Sequence, residues 1–174
     1  WQWDGTTWTK IGGDSLNSGW TANFEEVSSM AADDTELYVG LGTNTGDGEV
    51  WKWNGSSWTK IGGDSLNNGW TNYVERVASI AIHNGKLYAG LGGHTGDAEI
   101  WEWNGSSWTK VGGDTIDGSW GFSDYQQVES MISYNGKLYI GTGNITGAAT
   151  LWSWDGSTWT KVGGDNVNGS WTSG

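Results

Sequence analysis

Residues 77–111 read VASIAI-HNGK-LYAGL-GGHTGDA-EIWEW-NGSS-WTKV, so that short apolar runs alternate with turn-forming segments. The Asn84-Gly85 pair favours a type I′ hairpin, because that turn requires positive φ at both central residues. Alternation along the third run places Trp101 and Trp103 on one face. The stretch therefore predicts antiparallel strands A, B, C and D, followed by a long loop at 112–127, with the strands at 77–82, 87–91, 99–103 and 108–111.

The same pattern recurs along the chain. The segment WKWNGSSWTKIGGDSL begins at Trp51, and close copies begin at Trp1, Trp101 and Trp152, at spacings of 50, 50 and 51 residues. The strand-B sequence also recurs, as ELYVGLG, KLYAGLG and KLYIGTG. Four antiparallel strands in a period of about 50 residues are typical of one β-propeller blade. The predicted fold class is therefore all-β, a β-propeller with 3.5 four-stranded antiparallel blades per chain, and the near-identity of the copies indicates recent duplication or design on a consensus.

The repeats divide the single domain 1–174 into a half blade of strands C and D at 1–26 and blades at 27–75, 76–126 and 127–174. An incomplete ring exposes a strand edge and an apolar blade face, which favours association. We expect the chain to pair with itself, as a homodimer that sums to seven blades or with further repeats of a longer chain. An isolated hairpin is marginal in water, so the candidate assembly residues are those of the half blade, Trp1, Trp3 and Trp8.

The amino-acid composition limits the classes of ligand and partner that the chain can bind. Asp and Glu total 20 against 8 Lys and Arg, which gives a formal net charge of −12. Nucleic acid and anionic membranes repel such a chain, whereas neutral polar ligands such as sugars remain compatible with it. The chain has no Cys, which excludes a disulfide framework, and its 16 Trp are expected mainly to pack between blades.

The repeat is similar to those of kelch and galactose-oxidase-like propellers. The resemblance rests on the order strand, Asn-Gly, Lys-Leu-Tyr-x-Gly-x-Gly, loop, Val-Trp-x-Trp-Asn-Gly, x-x-Trp, and it covers nearly the whole chain. It implies a propeller and, because kelch-like domains serve mostly as binding modules, a binding function. The strand-B glycines are separated by one residue here and are adjacent in kelch repeats, and the galactose-oxidase copper ligands have no counterpart in this sequence.

No catalytic constellation is evident in the sequence. His83 lies in an A–B turn and His94 in a B–C loop, at opposite ends of the predicted blade, so a shared metal is not expected. An Asp followed three residues later by Asn or Asp suits Ca²⁺, but the same residue types also cap their own loops. These pairs are Asp14/Asn17, Asp64/Asn67, Asp114/Asp117 and Asp165/Asn168. The prediction is a non-enzyme with no cofactor, with Ca²⁺ as the alternative.

The copies differ mainly in the D–A and B–C loops, which lie on one face of an up-and-down propeller. Loops on a rigid scaffold commonly carry function. Their aromatic, amide and carboxylate side chains suit a glycan or a peptide. The predicted ligand-binding residues are Phe24, Glu26, Asp47, Tyr73, Arg76, His94, Asp97, Tyr125 and Asn144.

Three functions follow from these features. The first is a non-enzymatic propeller that self-assembles through its incomplete ring and binds a glycan or peptide on the D–A/B–C loop face. The second is a purely structural or designed self-assembling repeat protein with no ligand. The third, supported only by scattered carboxylates and His94, is a hydrolase-type enzyme at the channel mouth.

Overall fold

A computed structural model describes residues 1–21, 26–71, 73–94, 96–122, 124–143, 149–165 and 167–171. Within these ranges the chain forms fourteen strands and four one-turn 3-10 segments. The all-β prediction is confirmed. The described part contains no helix long and apolar enough to cross a membrane.

The first sheets follow chain order. A short N-terminal hairpin pairs β1 (Gln2–Trp3) with β2 (Trp8–Thr9). A four-stranded antiparallel sheet then pairs each strand with the next, through β3 (Val27–Ala32), β4 (Leu37–Leu41), β5 (Val50–Trp53) and β6 (Trp58–Gly62).

The remaining strands form one eight-stranded sheet. Its first half pairs in chain order through β7 (Arg76–His83), β8 (Lys86–Gly92), β9 (Ile100–Trp103) and β10 (Trp108–Gly112). Its second half does the same through β11 (Gln127–Tyr134), β12 (Lys137–Gly143), β13 (Thr150–Trp154) and β14 (Trp159–Gly163). A single pair, Gln127 with Gly92, joins the halves. The four 3-10 turns are Leu16–Ser18, Leu66–Asn68, Ile116–Gly118 and Val167–Gly169.

The tight turns use the chemistry that the sequence indicates. Asn84 and Gly85 have φ of 50° and 74°, as a type I′ turn requires. In the β9–β10 turn, Asn104 Oδ1 accepts hydrogen bonds from the backbone N–H groups of Ser106 and Ser107, both at 2.9 Å. The side chain thereby satisfies backbone donors that the reversal leaves unpaired.

The core lies between successive repeats. Val77 and Leu91 are 0% exposed and pack in one cluster with Val50 and Trp70 of the preceding repeat. At Gly90, a Cβ atom would lie 2.8 Å from the Val128 side chain of the following repeat. Such close approach requires glycine in the middle of the strand, and Gly40 meets Val77 of its following repeat at the same distance.

Tryptophans link each repeat to the one before it. The indole Nε1 groups of Trp58, Trp108 and Trp159 donate to the carbonyl oxygens of Ile11, Ile61 and Val111 at 2.7, 2.8 and 2.7 Å. Each of these rings also packs edge-on against a loop tryptophan of the preceding repeat, with centroid distances of 4.9, 5.1 and 5.6 Å to Trp20, Trp70 and Trp120. We call this contact, made by the indole, the carbonyl and the loop tryptophan, the Trp interlock.

Candidate ligand-binding face

The B–C and D–A loops meet on one face. The backbone N–H groups of Gly46 and Gly48 donate to the Val74 carbonyl at 3.2 and 3.1 Å. In the next repeat, Gly93 N–H donates to the Gln126 carbonyl at 3.4 Å. The two most variable loops of the sequence are therefore neighbours in space.

A pocket of about 250 Å³ opens on this face between two exposed aromatic rings. The Tyr73 ring is 74% exposed and the Phe122 ring is 64% exposed. Phe122 lies so close to Gly96 that a Cβ atom there would collide with the ring. Trp70 and Trp101 also line the pocket, packed edge-to-face with a centroid distance of 5.9 Å. The pocket is therefore largely aromatic.

Two carboxylates supply the charge in this pocket. Glu99 is engaged, because it accepts a hydrogen bond from Trp101 Nε1 at 2.8 Å and forms an ion pair with Lys110. Asp97 accepts the backbone N–H of His94 at 2.9 Å. Burial raises the pKa of Asp97 above its ordinary value of about 3.9, because the charged form loses solvation.

His94 connects Asp97 to a residue that the sequence prediction omitted. His94 Nε2 lies 3.1 Å from Glu75 Oε1, and His94 Nδ1 lies 3.8 Å from Asp97 Oδ2. Glu75 belongs to a D–A loop that differs between the copies, and this difference is the sequence signal that could have identified it as a candidate. Phe122 belongs to the next such loop, but nothing local indicates that its ring reaches Gly96.

The other predicted residues lie elsewhere. Glu26 and Arg76 form an ion pair at 3.5 Å, and Asp47 accepts the Asn44 backbone N–H at 3.0 Å. Tyr125 is 7% exposed and packs edge-on against Trp120 at 6.1 Å. Phe24 and Asn144 lie outside the described residues. The structure thus brings Tyr73 and Asp97 to one pocket with His94 beside them.

The Gly-rich loops proposed as Ca²⁺ sites cap themselves. Asn17, Asn67 and Asn168 donate their side-chain amides to carbonyl oxygens of the preceding strand segment, at 3.0, 3.0 and 3.1 Å. Asp64 forms an ion pair with Lys60 at 2.6 Å. Among the residues that the structure describes, no group of three His, Cys, Asp or Glu is arranged to hold a metal.

A second pocket, of about 220 Å³, lies at the opposite end, beside the A–B and C–D turns. Its polar groups are bonded to one another: Glu36 accepts from Lys52 Nζ at 2.7 Å and from the Tyr38 hydroxyl at 2.9 Å. Burial and the neighbouring Glu36 raise the pKa of Tyr38. Because these groups satisfy each other, we regard the loop-face pocket as the better candidate site.

Solved structures support the fold. The chain is similar to the Bacteroides ovatus xyloglucan PUL GH43B structure, with 16% identity and a TM-score of 0.52, covering 78% of this chain and 30% of that one. It is similar to a chain of the mitotic checkpoint complex (20% identity, TM-score 0.51, 83% and 41% covered) and to GH43 BlXynB from Bacillus licheniformis (14% identity, TM-score 0.50, 78% and 30% covered).

The chain spans between 30 and 41% of the length of these structures. No protein-family model and no curated protein sequence matches it. The structural neighbours, which include GH43 proteins, are β-propeller folds, and identities of 14 to 20% show likeness of fold alone. The chain therefore has an all-β fold of the β-propeller type.

Proposed function

We propose that the chain is a non-enzymatic, kelch-like binding module that takes a glycan in the pocket between Tyr73 and Phe122. In this proposal the scaffold has 3.5 four-stranded blades, which are the half blade 1–26 and the blades 27–75, 76–126 and 127–174. The observation that carries the proposal is the pair of aromatic rings, 74% and 64% exposed, that flank a pocket holding the Asp97 carboxyl.

The chemistry of the pocket suits a sugar ring. Aromatic faces pack against the C–H face of a sugar, and a carboxyl accepts hydrogen bonds from its hydroxyl groups. The net charge of −12 disfavours anionic ligands and leaves neutral glycans. A cationic peptide is the other ligand that this charge favours.

Glycoside hydrolysis is the second candidate function. Burial raises the pKa of Asp97, which is the observation in its favour, because the general acid of a glycosidase is a carboxyl group with a raised pKa. Hydrolysis would need a second carboxylate beside Asp97. The neighbouring Glu99 carboxylate forms an ion pair with Lys110 and accepts a hydrogen bond from Trp101, which favours the binding role instead. Release of reducing ends from a bound glycan, abolished in Asp97→Asn, would identify an enzyme.

A glycan array read with two variants tests the binding role. Phe122→Ala should weaken binding by about tenfold or more, because loss of about 1.4 kcal/mol of stacking corresponds to that factor. Tyr134→Ala is the matched control, since Tyr134 is 63% exposed but lies at the opposite, A–B turn. Silence of the folded wild-type protein across the array, and against cationic peptides, would favour a purely structural repeat protein.

A further inference from the structure

The N-terminal hairpin carries a further tryptophan, Trp8, at the donor position of the Trp interlock. Trp8 occupies the same repeat position as Trp58, Trp108 and Trp159. Those three indoles are only 4, 2 and 3% exposed, whereas Trp8 is 60% exposed. Within the described residues, Trp8 contacts a ring only in its own hairpin, that of Trp3 at 5.4 Å. Within the part of the chain that the structure describes, no neighbouring repeat covers this indole as one covers its equivalents.

The C-terminal repeat carries a carbonyl group, that of Val162, at the acceptor position of the Trp interlock. The Ile61 carbonyl accepts both the Asn67 amide and the Trp108 indole. The equivalent Val162 carbonyl accepts the Asn168 amide at 3.1 Å, and no indole of the described residues donates to it. Among the described residues, one acceptor position of this carbonyl is thus unused.

The glycine next to Val162 keeps one of the two tryptophan contacts found in a filled interlock. A Cβ at Gly62 would lie 2.9 Å from the indole Nε1 of Trp108, which enters from the following repeat, and also 2.9 Å from its own loop tryptophan, Trp70. At Gly163 only the second of these contacts remains, with Trp171 at 2.9 Å. Trp171 is 49% exposed, whereas Trp70 is 3% exposed.

We propose that Trp8 of one copy docks on the C-terminal repeat of a second copy and forms the Trp interlock between chains. Its Nε1 donates to the Val162 carbonyl, and its ring packs edge-on against Trp171 over Gly163. The occupant is a second copy because both halves of the contact lie on this chain, and because three internal interlocks already show that they fit. A head-to-tail contact of this kind generates a ring when its rotation closes.

Two copies are the expected assembly, since two chains joined head to tail contribute six complete blades and two C–D hairpins, a number of ring positions within the four to eight typical of propellers. This association does not depend on the loop-face pocket, because Tyr73 and Phe122 take no part in the interlock. The two proposals therefore fail independently: Phe122→Ala should lose ligand and keep the mass of the assembly.

Light scattering after size exclusion tests the contact in the full chain. The wild type should have the mass of two chains, and Trp8→Ala and Trp171→Ala should each have the mass of one. Trp8→Phe, which keeps a ring and loses the donor, should weaken association by about tenfold, as expected for a hydrogen bond worth about 1–1.5 kcal/mol. Amide infrared spectra should show that all variants keep the wild-type β content.

Mixing the two alanine variants separates docking from general destabilisation. Trp8→Ala retains the acceptor and Trp171→Ala retains the donor, so an equimolar mixture can form one intact junction. The mixture should recover a two-chain species that neither variant forms alone. A wild type that stays at the mass of one chain, variants that keep the wild-type mass, or a mixture that stays at one chain would each overturn the proposal.

Discussion

Glycines in the middle of the second strand of a repeat lie where the following repeat approaches closely. A Cβ on Gly90 would lie 2.5 Å from the Ser79 hydroxyl of its own repeat and 2.8 Å from Val128 of the next repeat. A Cβ on Gly141 would meet only the equivalent hydroxyl of its own repeat, Ser130, at 2.8 Å. Neither glycine has positive φ, so backbone strain does not enter. Gly90→Ala should therefore destabilise the chain by about 1–3 kcal/mol through overpacking, and Gly90→Val by more.

Gly141→Ala is the matched control for this effect, and urea unfolding measures both variants. Under conditions where the chain is a monomer, the control should cost clearly less than Gly90→Ala, because no other repeat of the described residues packs against Gly141. Equal costs in the two variants would mean that contact between repeats does not explain the conserved strand position within this chain.

His83 provides a pH-dependent contribution to stability. Its ring is 2% exposed, with Nδ1 2.8 Å from the Ser133 hydroxyl, and burial lowers its pKa below the ordinary 6.5. The unfolded chain therefore binds a proton at a higher pH than the folded chain does. Stability should fall as the pH drops below about 6.5, until the folded His83 is itself protonated.

His83→Gln should remove this part of the pH dependence, measured as the free energy of unfolding between pH 8 and pH 5. His94→Gln should retain it, because His94 is 60% exposed and the change leaves His83 in place. An unchanged pH slope in His83→Gln would show that the buried histidine is not its source.

At the scale of elements, the indole hydrogen bond of the Trp interlock should contribute measurably to the free energy of unfolding. Trp108→Phe keeps an aromatic ring but removes the donor to the Ile61 carbonyl, which then retains only the Asn67 amide. We expect a loss of about 1–2 kcal/mol in the free energy of unfolding. Trp8→Phe, measured at a concentration where the chain is monomeric, should lose almost nothing.

Strands were predictable because their signals are local. Strand A was expected at 77–82 and β7 spans Arg76–His83; strand B was expected at 87–91 and β8 spans Lys86–Gly92. Asn-Gly turns and alternating apolar residues fix these hairpins within a few residues of sequence. Repetition then applied the same assignment to every copy.

The candidate site was less predictable because its contacts cross between loops. Phe122 reaches Gly96 across 26 residues, and Glu75 reaches His94 across 19, so neither contact has a local signal. Tyr125 has the same loop context as an exposed ligand-binding aromatic, yet it is buried against Trp120. The sequence indicates the loop face as the candidate, and the direction of each side chain had to come from the structure.

At the scale of the whole molecule, a propeller requires that successive repeats turn about one axis as blades. Ser56, Ser106 and Ser157 occupy the same exposed position of three successive C–D turns. The chain has no Cys, so each serine can be changed to a single labelling site. Spin labels on these sites report the arrangement of the repeats directly.

The decisive measurement is therefore the distance between pairs of spin labels, recorded by pulsed electron–electron double resonance. The pairs are 56 and 106, 106 and 157, and 56 and 157. The labelled protein is diluted with unlabelled protein, so that only distances within one chain are recorded. We predict equal distances for the two neighbouring pairs, and a 56–157 distance clearly shorter than their sum because the repeats rotate about a common axis. A 56–157 distance equal to that sum would indicate a straight stack of repeats and would contradict the propeller arrangement.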